Sequence, residues 1–482
     1  MGTSRAITSD AKLFRESKLF HSILYGLTSL AIVGTIWQVR TYISPDGISY
    51  LDLAREMLKG DPGAYFHAYW SPLFPALLAL GMKVGSPFPI PLLLLAHAVV
   101  AAAALAGAAA FVFFTSEWRC LLLSVAEAGS RGTGTAGTLF GLSLYLFATF
   151  KLIGAQVLTP DMLVMVIVLA VAGTSCRLAS GRGKAGSAIW LGVLLAVGYF
   201  AKAAMLPLGL LLVVLLAASR FGARMRVHLI MLTVFVFAAF VLPYITTLSK
   251  RHDTLTFGES GRLNYAWSVL KSVPMYAGWT RGSDASGTPV HSPRVLGRNP
   301  TVLEFAHTTP GTMPLWYDPS YFYEGLKIRP DLSSQIRQLK MAPGQFFASI
   351  RHSVLIFVAV FAALIAVVLL SKRTEDRAGR LALASAWLIF WAIGAFSLYS
   401  LVVLRPRYVA PFFVLLVYAG AEELFARLRF PASRFGEIVL IAGALLLFAD
   451  LVASQTTRRI PMPVGSRGDI QQAVAKNLKK WG

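Results

Sequence analysis

The stretch from residue 91 to residue 114, PLLLLAHAVVAAAALAGAAAFVFF, contains no Lys, Arg, Asp or Glu and decides the fold class. About 20 consecutive apolar residues are needed for a helix to cross the hydrocarbon layer of a membrane, and this stretch reaches that length. Similar runs lie at about 22–42, 136–155, 161–177, 187–201, 204–219, 228–248, 352–371, 381–403, 408–426 and 435–454. The pattern therefore predicts an all-α polytopic membrane protein with about eleven transmembrane helices.

The composition excludes most other classes of protein. Of the 482 residues, 56% are hydrophobic and only 14% are charged, whereas soluble domains average about 25% charged residues. Two cysteines, Cys120 and Cys176, form no CxxC pair and indicate no disulfide framework. A net charge of +22 would suggest nucleic acid for a soluble protein. In a membrane protein it marks cytoplasmic loops, so we expect no nucleic-acid partner.

The placement of the basic residues predicts the orientation of the chain. Residues 71–83 are apolar but too short to span and contain two prolines, which favours an interfacial helix. With that segment outside the count, the N-terminus is cytoplasmic and the C-terminus lies outside. The basic clusters at 119–131, 177–184, 220–226, 372–380 and 427–434 then face the cytoplasm. Counting the segment as a span would reverse every later loop.

This orientation divides the chain into regions. We expect a cytoplasmic tail (1–21), a transmembrane module (22–248), a large outer loop between spans seven and eight (249–351), C-terminal transmembrane helices (352–454) and an outer tail (455–482). The first outer loop, 43–90, lies within the module. Apolar residues at helical spacing predict short amphipathic helices over 48–59 in that loop and over 469–480 in the tail.

Four charged residues are predicted to meet at the outer face, where charges near membrane depth are costly and usually functional. They are Asp46, Asp161, Arg405 and Arg407. Arginine binds phosphate through two parallel hydrogen bonds, and a partly desolvated carboxylate can act as a general base. The combination suggests transfer of a group from a phosphate-linked lipid to an acceptor outside the membrane.

Each of these residues also has a purely structural interpretation. Asp46 precedes a helical run and is a favoured N-cap. Asp161 begins a helix, where a carboxylate complements the helix dipole. Arg405, Arg407 and Lys202 can extend along apolar surface to reach the interface.

Two other functions predict different sequence features. A secondary transporter of a lipid-linked or anionic substrate predicts broken helices, midplane charges and repeated halves, whereas this chain keeps its charges at the outer margin. A scaffold or polymer-export subunit predicts no chemistry at all.

Several motifs resemble those of bacterial membrane glycosyltransferases of the C superfamily (GT-C), whose relatives include protein O-mannosyltransferases and lipid A aminoarabinose transferases. These motifs are Pro45-Asp46-Gly47, Tyr69-Trp70-Ser71-Pro72-Leu73-Phe74-Pro75, Leu158-Thr159-Pro160-Asp161, Tyr199-Phe200-Ala201-Lys202, Leu315-Trp316-Tyr317-Asp318-Pro319-Ser320 and Arg405-Pro406-Arg407-Tyr408-Val409-Ala410-Pro411. The resemblance covers roughly residues 20–425 and implies a GT-C fold. It also implies a bacterial inner-membrane location with an extracytoplasmic active site. Relatives often carry a further soluble domain after the last span, so we expect that this chain lacks it or is a shortened form.

The resemblance implies a reaction and a set of roles. A hexosyl or pentosyl group passes from a polyprenyl-phosphate donor to a lipid, glycan or protein acceptor, usually with inversion. Asp46 would be the general base, and Asp161 would orient the acceptor or the sugar. The phosphate would be held by Lys202, Arg405, Arg407 and Tyr408. Many relatives have two adjacent acids where this chain has Asp46 followed by Gly47, which leaves Asp52 as a less favoured substitute for the base.

Aromatic residues in the outer loops are weaker candidates for substrate contact. Tyr69, Trp70, Trp316, Tyr317 and Asp318 are the candidates, although such aromatics also pack loops onto the membrane surface. The outer histidines at positions 67, 252, 291 and 307 lack zinc-ligand spacing. A divalent cation (Mg²⁺ or Mn²⁺) bridging an acid and the phosphate is chemically reasonable, but no DxD-type pair occurs in the outer loops. No cofactor is implied with certainty, and metal dependence stays open.

Overall fold

The computed structural model describes residues 22, 24–125, 133–154, 157–219, 227–270, 294–298, 301–304, 330–370, 375–428 and 432–457. Nearly all of these residues are helical, which confirms the all-α prediction. The helices are α1 (24–38), α2 (Pro45–Lys59), α3 (Pro62–Tyr65), α4 (Leu73–Gly85), α5 (Leu92–Val125), α6 (Gly134–Phe147), α7 (Asp161–Ala179), α8 (Ala185–Ala201), α9 (Met205–Ala218), α10 (Val227–Arg251), α11 (Ser260–Tyr265), α12 (Leu332–Leu370), α13 (Glu375–Val402), α14 (Pro406–Ala426) and α15 (Ala432–Thr457). A small antiparallel hairpin pairs β1 (Arg294–Arg298) with β2 (Thr301–Glu304).

Seven helices within the described ranges are long and apolar enough to cross a membrane. They are α5, α6 with the π-helical turn that follows it, α7, α10, α12, α14 and most of α15. Four shorter apolar helices accompany them: α4, α8, α9 and residues Ala386–Val402 of α13. The chain is an integral multi-pass membrane protein. Every predicted span coincides with a helix, but a total of eleven crossings stays a prediction.

The segment 43–90, which the sequence predicts to be the first outer loop, contains the short helices that were expected there. The amphipathic pattern over 48–59 forms α2, which confirms that helix and extends it to Pro45. Helix α4 has 13 residues, about 20 Å at 1.5 Å per residue, against about 30 Å of hydrocarbon. It packs against α2 and α5. Its length therefore agrees with an interfacial helix.

Helix α12 is longer than its apolar run. The run begins at residue 352, whereas the helix begins at Leu332 and so extends into the predicted loop 249–351. The Gln335 side chain donates a hydrogen bond of 3.1 Å to the carbonyl oxygen of Leu401, close to the end of α13. Hydropathy reports where a helix enters the membrane but not where it begins, which explains the difference.

A buried cluster of polar side chains lies near the C-terminal end of α14. Arg119 of α5 donates two hydrogen bonds of 3.0 Å to one oxygen of Glu422, whose side chain is 4% exposed. The hydroxyls of Thr133 and Tyr418 each donate to the same oxygen at 2.6 Å. The cluster joins α5, the start of α6 and α14, so it determines how α14 lies in the bundle.

Substitution of Glu422 by Ala is expected to lower the stability of the protein strongly. Removing one partner of a buried ion pair leaves an uncompensated charge and typically costs about 3–5 kcal/mol. The measurement is thermal unfolding of the purified protein in detergent micelles. The matched control is Glu56→Ala, because Glu56 pairs with Lys59 at a solvent-exposed site where a pair contributes about 0–1 kcal/mol. Equal midpoints for the two variants would contradict a structural role for the cluster.

A second group of buried polar side chains lies just after the C-terminal end of α6. The ammonium of Lys151, in the π-helical turn Ala148–Ile153, lies 2.6 Å from Asp450 of α15 and 2.8 Å from the hydroxyl of Ser353 in α12. The Ser353 hydroxyl also donates to Asp450 at 2.8 Å. Three helices that are distant in sequence therefore meet at this turn.

Candidate functional site

The start of α2 presents Asp46 without using it as a cap. Ser44 is the N-cap residue, and its hydroxyl accepts a hydrogen bond of 3.2 Å from the backbone N–H of Gly47. Pro45 occupies the start of the helix, where its missing N–H has no consequence. Asp46 lies in the first turn, so the capping interpretation of Asp46 is wrong and its carboxylate is available for other contacts.

Gly47 explains the departure from the two-acid pattern. A Cβ atom at this position would lie 3.0 Å from the Cβ of Leu158 and 3.3 Å from the hydroxyl oxygen of Ser44. Both distances are shorter than ordinary van der Waals contact, so a second acidic side chain does not fit here without movement. Close packing of α2 on the turn before α7 therefore favours glycine after Asp46, because a larger residue would require Leu158 or Ser44 to shift.

Asp161 is the most enclosed charged residue of the group. It begins α7, and its side chain is 3% exposed. One carboxylate oxygen lies 2.8 Å from the ammonium of Lys202, and the other accepts a hydrogen bond of 2.9 Å from the Thr159 hydroxyl. The Nε atom of Arg407 lies 3.5 Å from that second oxygen. Asp161 therefore lies at the N-terminus of α7, where it complements the helix dipole, and it also contacts two cationic side chains, Lys202 and Arg407.

Arg407 connects the two acids. Its Nη2 atom donates to Oδ2 of Asp46 at 2.9 Å, while its Nε faces Asp161. It lies in the first turn of α14, directly after Pro406. A single guanidinium thus bridges carboxylates from the first outer loop and from the start of α7, which is a geometry that a planar fork suits.

Lys202 lies between an acid and an aromatic ring. Its ammonium is 3.5 Å from the centre of the Tyr408 ring, within the range of a cation–π interaction. Burial favours the neutral amine, but the nearby Asp161 carboxylate outweighs this effect and raises the pKa of Lys202 above its ordinary value. Lys202 therefore stays a cation at neutral pH.

These residues line one cavity of about 850 Å³. Asp46, Asp161, Lys202, Arg405 and Arg407 all contribute to its wall. Arg405 is exposed, and no described residue forms an ion pair with it. Two carboxylates face three cations, so this group of five carries a net charge of +1, and its free positive charge belongs to Arg405.

A second wall of the cavity comes from a segment without a sequence motif. Residues 255–262 line the cavity together with Asn264, Tyr69 and Trp70. The Asn264 amide donates to the Tyr69 hydroxyl at 3.3 Å. The backbone N–H of Glu259 donates to the carbonyl oxygen of Ala68 at 2.7 Å. The segment is thereby fastened to the first outer loop, a contact that no local pattern in the sequence indicates.

The remaining candidates differ in how far the structure places them. Trp316, Tyr317 and Asp318 lie outside the described residues, as does the amphipathic pattern over 469–480. Tyr69 and Trp70 line the cavity together. Tyr399 also lines it, and nothing in the sequence distinguished this residue from other aromatic residues of a span.

Within the described ranges, no group of three or more His, Cys, Asp or Glu side chains is arranged to hold a metal ion. The ring nitrogen Nδ1 of His67 instead accepts hydrogen bonds from the backbone of Tyr69 and Trp70 at 3.0 and 3.3 Å. His67 therefore shapes the turn that carries the two aromatic side chains.

The chain was compared with known proteins. No family model matches the sequence, and no curated protein matches it. The chain is similar to the crystal structure of ArnT from Cupriavidus metallidurans bound to undecaprenyl phosphate, with a TM-score of 0.48 and 17% identity. For the apo state of that protein the TM-score is 0.43 and the identity 15%. Both matches cover 92% of this chain and 66% of the other, so this chain spans slightly less than two thirds of their length.

Proposed function

We propose that the protein is an inverting GT-C glycosyltransferase that moves a sugar from a polyprenyl-phosphate donor to an extracytoplasmic acceptor. The observation that carries the proposal is the convergence of two acids and three cations from four distant parts of the chain on one cavity. In a membrane protein, such a cluster at the margin of the spans is costly and is maintained for function.

The cations suit the phosphate of the donor. A sugar linked to a polyprenyl phosphate is a phosphodiester with one negative charge, which matches the net charge of +1 of the five residues. When the bond between the anomeric carbon and the phosphate oxygen breaks, the leaving polyprenyl phosphate gains a second negative charge. Lys202, Arg405 and Arg407 would stabilise that charge as it develops. The proposal thus assigns binding and leaving-group stabilisation to the same side chains.

The two acids suit different roles because their contacts differ. Oδ2 of Asp46 accepts from Arg407, while its Oδ1 has no hydrogen-bond partner among the described residues. This oxygen would take the proton of the acceptor hydroxyl as that hydroxyl attacks the anomeric carbon. Asp161 is enclosed by Lys202, Arg407 and Thr159, so it orients cations and is not placed to attack the sugar. The described residues that line the cavity offer one such base and no second free carboxylate, which favours a single displacement that inverts the anomeric centre.

The proposal includes the sidedness of the membrane protein. The N-terminus would be cytoplasmic, the membrane would be the bacterial inner membrane, and the cavity would open outside. The large loop 249–351 and the tail 455–482 would then also lie outside. Reporter fusions that place residues 161 or 407 on the opposite side from residue 46 would contradict this arrangement.

The test is an assay of the purified protein with a panel of labelled polyprenyl-phosphate sugars, supplied with lipid, glycan and peptide acceptors. At least one donor is expected to lose its sugar to an acceptor and to release polyprenyl phosphate. If no donor in the panel is cleaved, the proposal fails. Movement of an intact donor across proteoliposomes without any cleavage would instead support the transporter.

A further inference from the structure

Tyr399 carries a buried hydroxyl that the bundle does not use. It lies near the end of α13, its residue is 8% exposed, and it lines the cavity. Its hydroxyl oxygen has no hydrogen-bond partner among the described residues. A buried polar group without a partner is rare and costs stability, so each one calls for an explanation.

Three other buried tyrosines of the bundle, all outside the cavity wall, do have partners. The Tyr145 hydroxyl donates to the carbonyl oxygen of Ala104 at 2.5 Å, and the Tyr418 hydroxyl donates to Glu422 at 2.6 Å. The Tyr199 hydroxyl donates to the carbonyl oxygen of Phe257 at 2.9 Å. These three hydroxyls are thus satisfied within the fold. The Tyr399 hydroxyl differs from them, and its residue faces the cavity.

The surroundings of Tyr399 determine what kind of atom it can bind. The centre of the Tyr399 ring lies 5.3 Å from the centre of the Tyr408 ring. The ammonium of Lys202 lies 5.7 Å from the centre of the Tyr399 ring. Arg405 lines the same cavity and is exposed. A ligand atom that satisfies a hydroxyl donor beside cations is an anionic oxygen, and the oxygens of a phosphate have lone pairs for all of these donors.

We propose that the Tyr399 hydroxyl donates a hydrogen bond to the phosphate of the lipid-linked substrate. This inference rests on the proposed function and adds a second neutral donor to the group expected from the sequence, which comprises three cations and Tyr408. A neutral donor binds the phosphate without changing the charge balance of the site, and its hydrogen bond strengthens as the leaving phosphate gains charge.

The variant Tyr399→Phe tests the role because it removes one oxygen and keeps the ring that packs on Tyr408. The probe is undecaprenyl phosphate in detergent micelles, with undecaprenol as the analogue that lacks phosphate. We expect Tyr399→Phe to weaken undecaprenyl phosphate binding about tenfold and to leave undecaprenol binding unchanged. Thermal stability should stay equal or rise, because an unsatisfied buried hydroxyl has been removed.

Tyr145→Phe is the matched control, since it removes a hydroxyl that has a partner and lies outside the cavity wall. Its thermal stability should fall while undecaprenyl phosphate binding is unchanged. If Tyr399→Phe binds undecaprenyl phosphate as tightly as the wild type, or only loses stability, the role of Tyr399 is refuted and the proposed function stands. If the wild-type protein itself does not distinguish undecaprenyl phosphate from undecaprenol, the proposed function fails and this role fails with it.

Discussion

Replacement of Asp46 by Asn is expected to reduce the rate of sugar transfer by at least about 10²-fold, the scale of removing a general base. The amide oxygen of Asn can still accept the hydrogen bond from Arg407, so the shape of the site is kept. Only the ability to take a proton from the acceptor is lost. Donor binding, measured with undecaprenyl phosphate, should therefore match that of the wild type, and the defect should appear in kcat.

Asp52→Asn is the matched control for this variant. Asp52 lies on the same helix, α2, and pairs with Arg55 at 3.0 Å. It is not among the residues that line the cavity. Asp52→Asn should retain wild-type transfer. Full activity of Asp46→Asn would reject Asp46 as the base, and loss of activity in Asp52→Asn alone would move that role to the other acid of α2.

Arg407→Lys is expected to lower kcat/KM by at least about 10²-fold although it keeps the positive charge. The guanidinium reaches Asp46 through Nη2 at 2.9 Å and Asp161 through Nε at 3.5 Å. A lysine ammonium is a single point and cannot reproduce a planar bridge between two carboxylates. Both acids would lose their relative placement, and a small misplacement of reacting groups can cost a factor of this size.

Arg405→Lys provides the comparison within the same motif. Arg405 is exposed and has no ion pair among the described residues, so its proposed role is to supply charge to the phosphate. A lysine also binds phosphate as a point charge, and the expected loss is only a few-fold. Steady-state kinetics with one donor and one acceptor distinguishes the two variants. Similar losses at both positions would show that charge, not the bridge, is what Arg407 contributes.

Much of the fold could be predicted from hydropathy. Every apolar run that was long enough corresponds to a helix, and the shorter run at 71–83 corresponds to the short helix α4. Helices α12 and α5 extend beyond their apolar runs, α12 at its start and α5 at its end, because those residues carry no hydropathy signal. The charge bias of the loops also predicted one face for Asp46, Asp161 and Arg407, and the structure brings these three side chains into contact.

Other features of the site could not be predicted. The unpaired hydroxyl of Tyr399 belongs to a residue type that is ordinary in a span, and only its surroundings distinguish it. The segment 255–262 is fastened at the cavity by the backbone hydrogen bond from Glu259 to Ala68, which no side-chain pattern in the sequence indicates. The cap of α2 is Ser44 and not Asp46, a difference that depends on backbone angles at the helix start.

The hydrocarbon layer of a typical membrane is about 30 Å thick, so the number of apolar residues that a span needs is known in advance. The amino-acid sequence by itself therefore determined that this chain is helical, polytopic and charged at its margins. The sequence does not determine which charged side chains form ion pairs. Asp46 and Arg407 are separated by most of the chain and meet only in the folded protein. Only the tertiary structure therefore decided which acid faces which cation and that a side chain at position 47 would crowd Leu158 and Ser44. The hydropathy of consecutive residues determines where the helices form, whereas contacts between residues distant in sequence determine the arrangement of the charged side chains in the site.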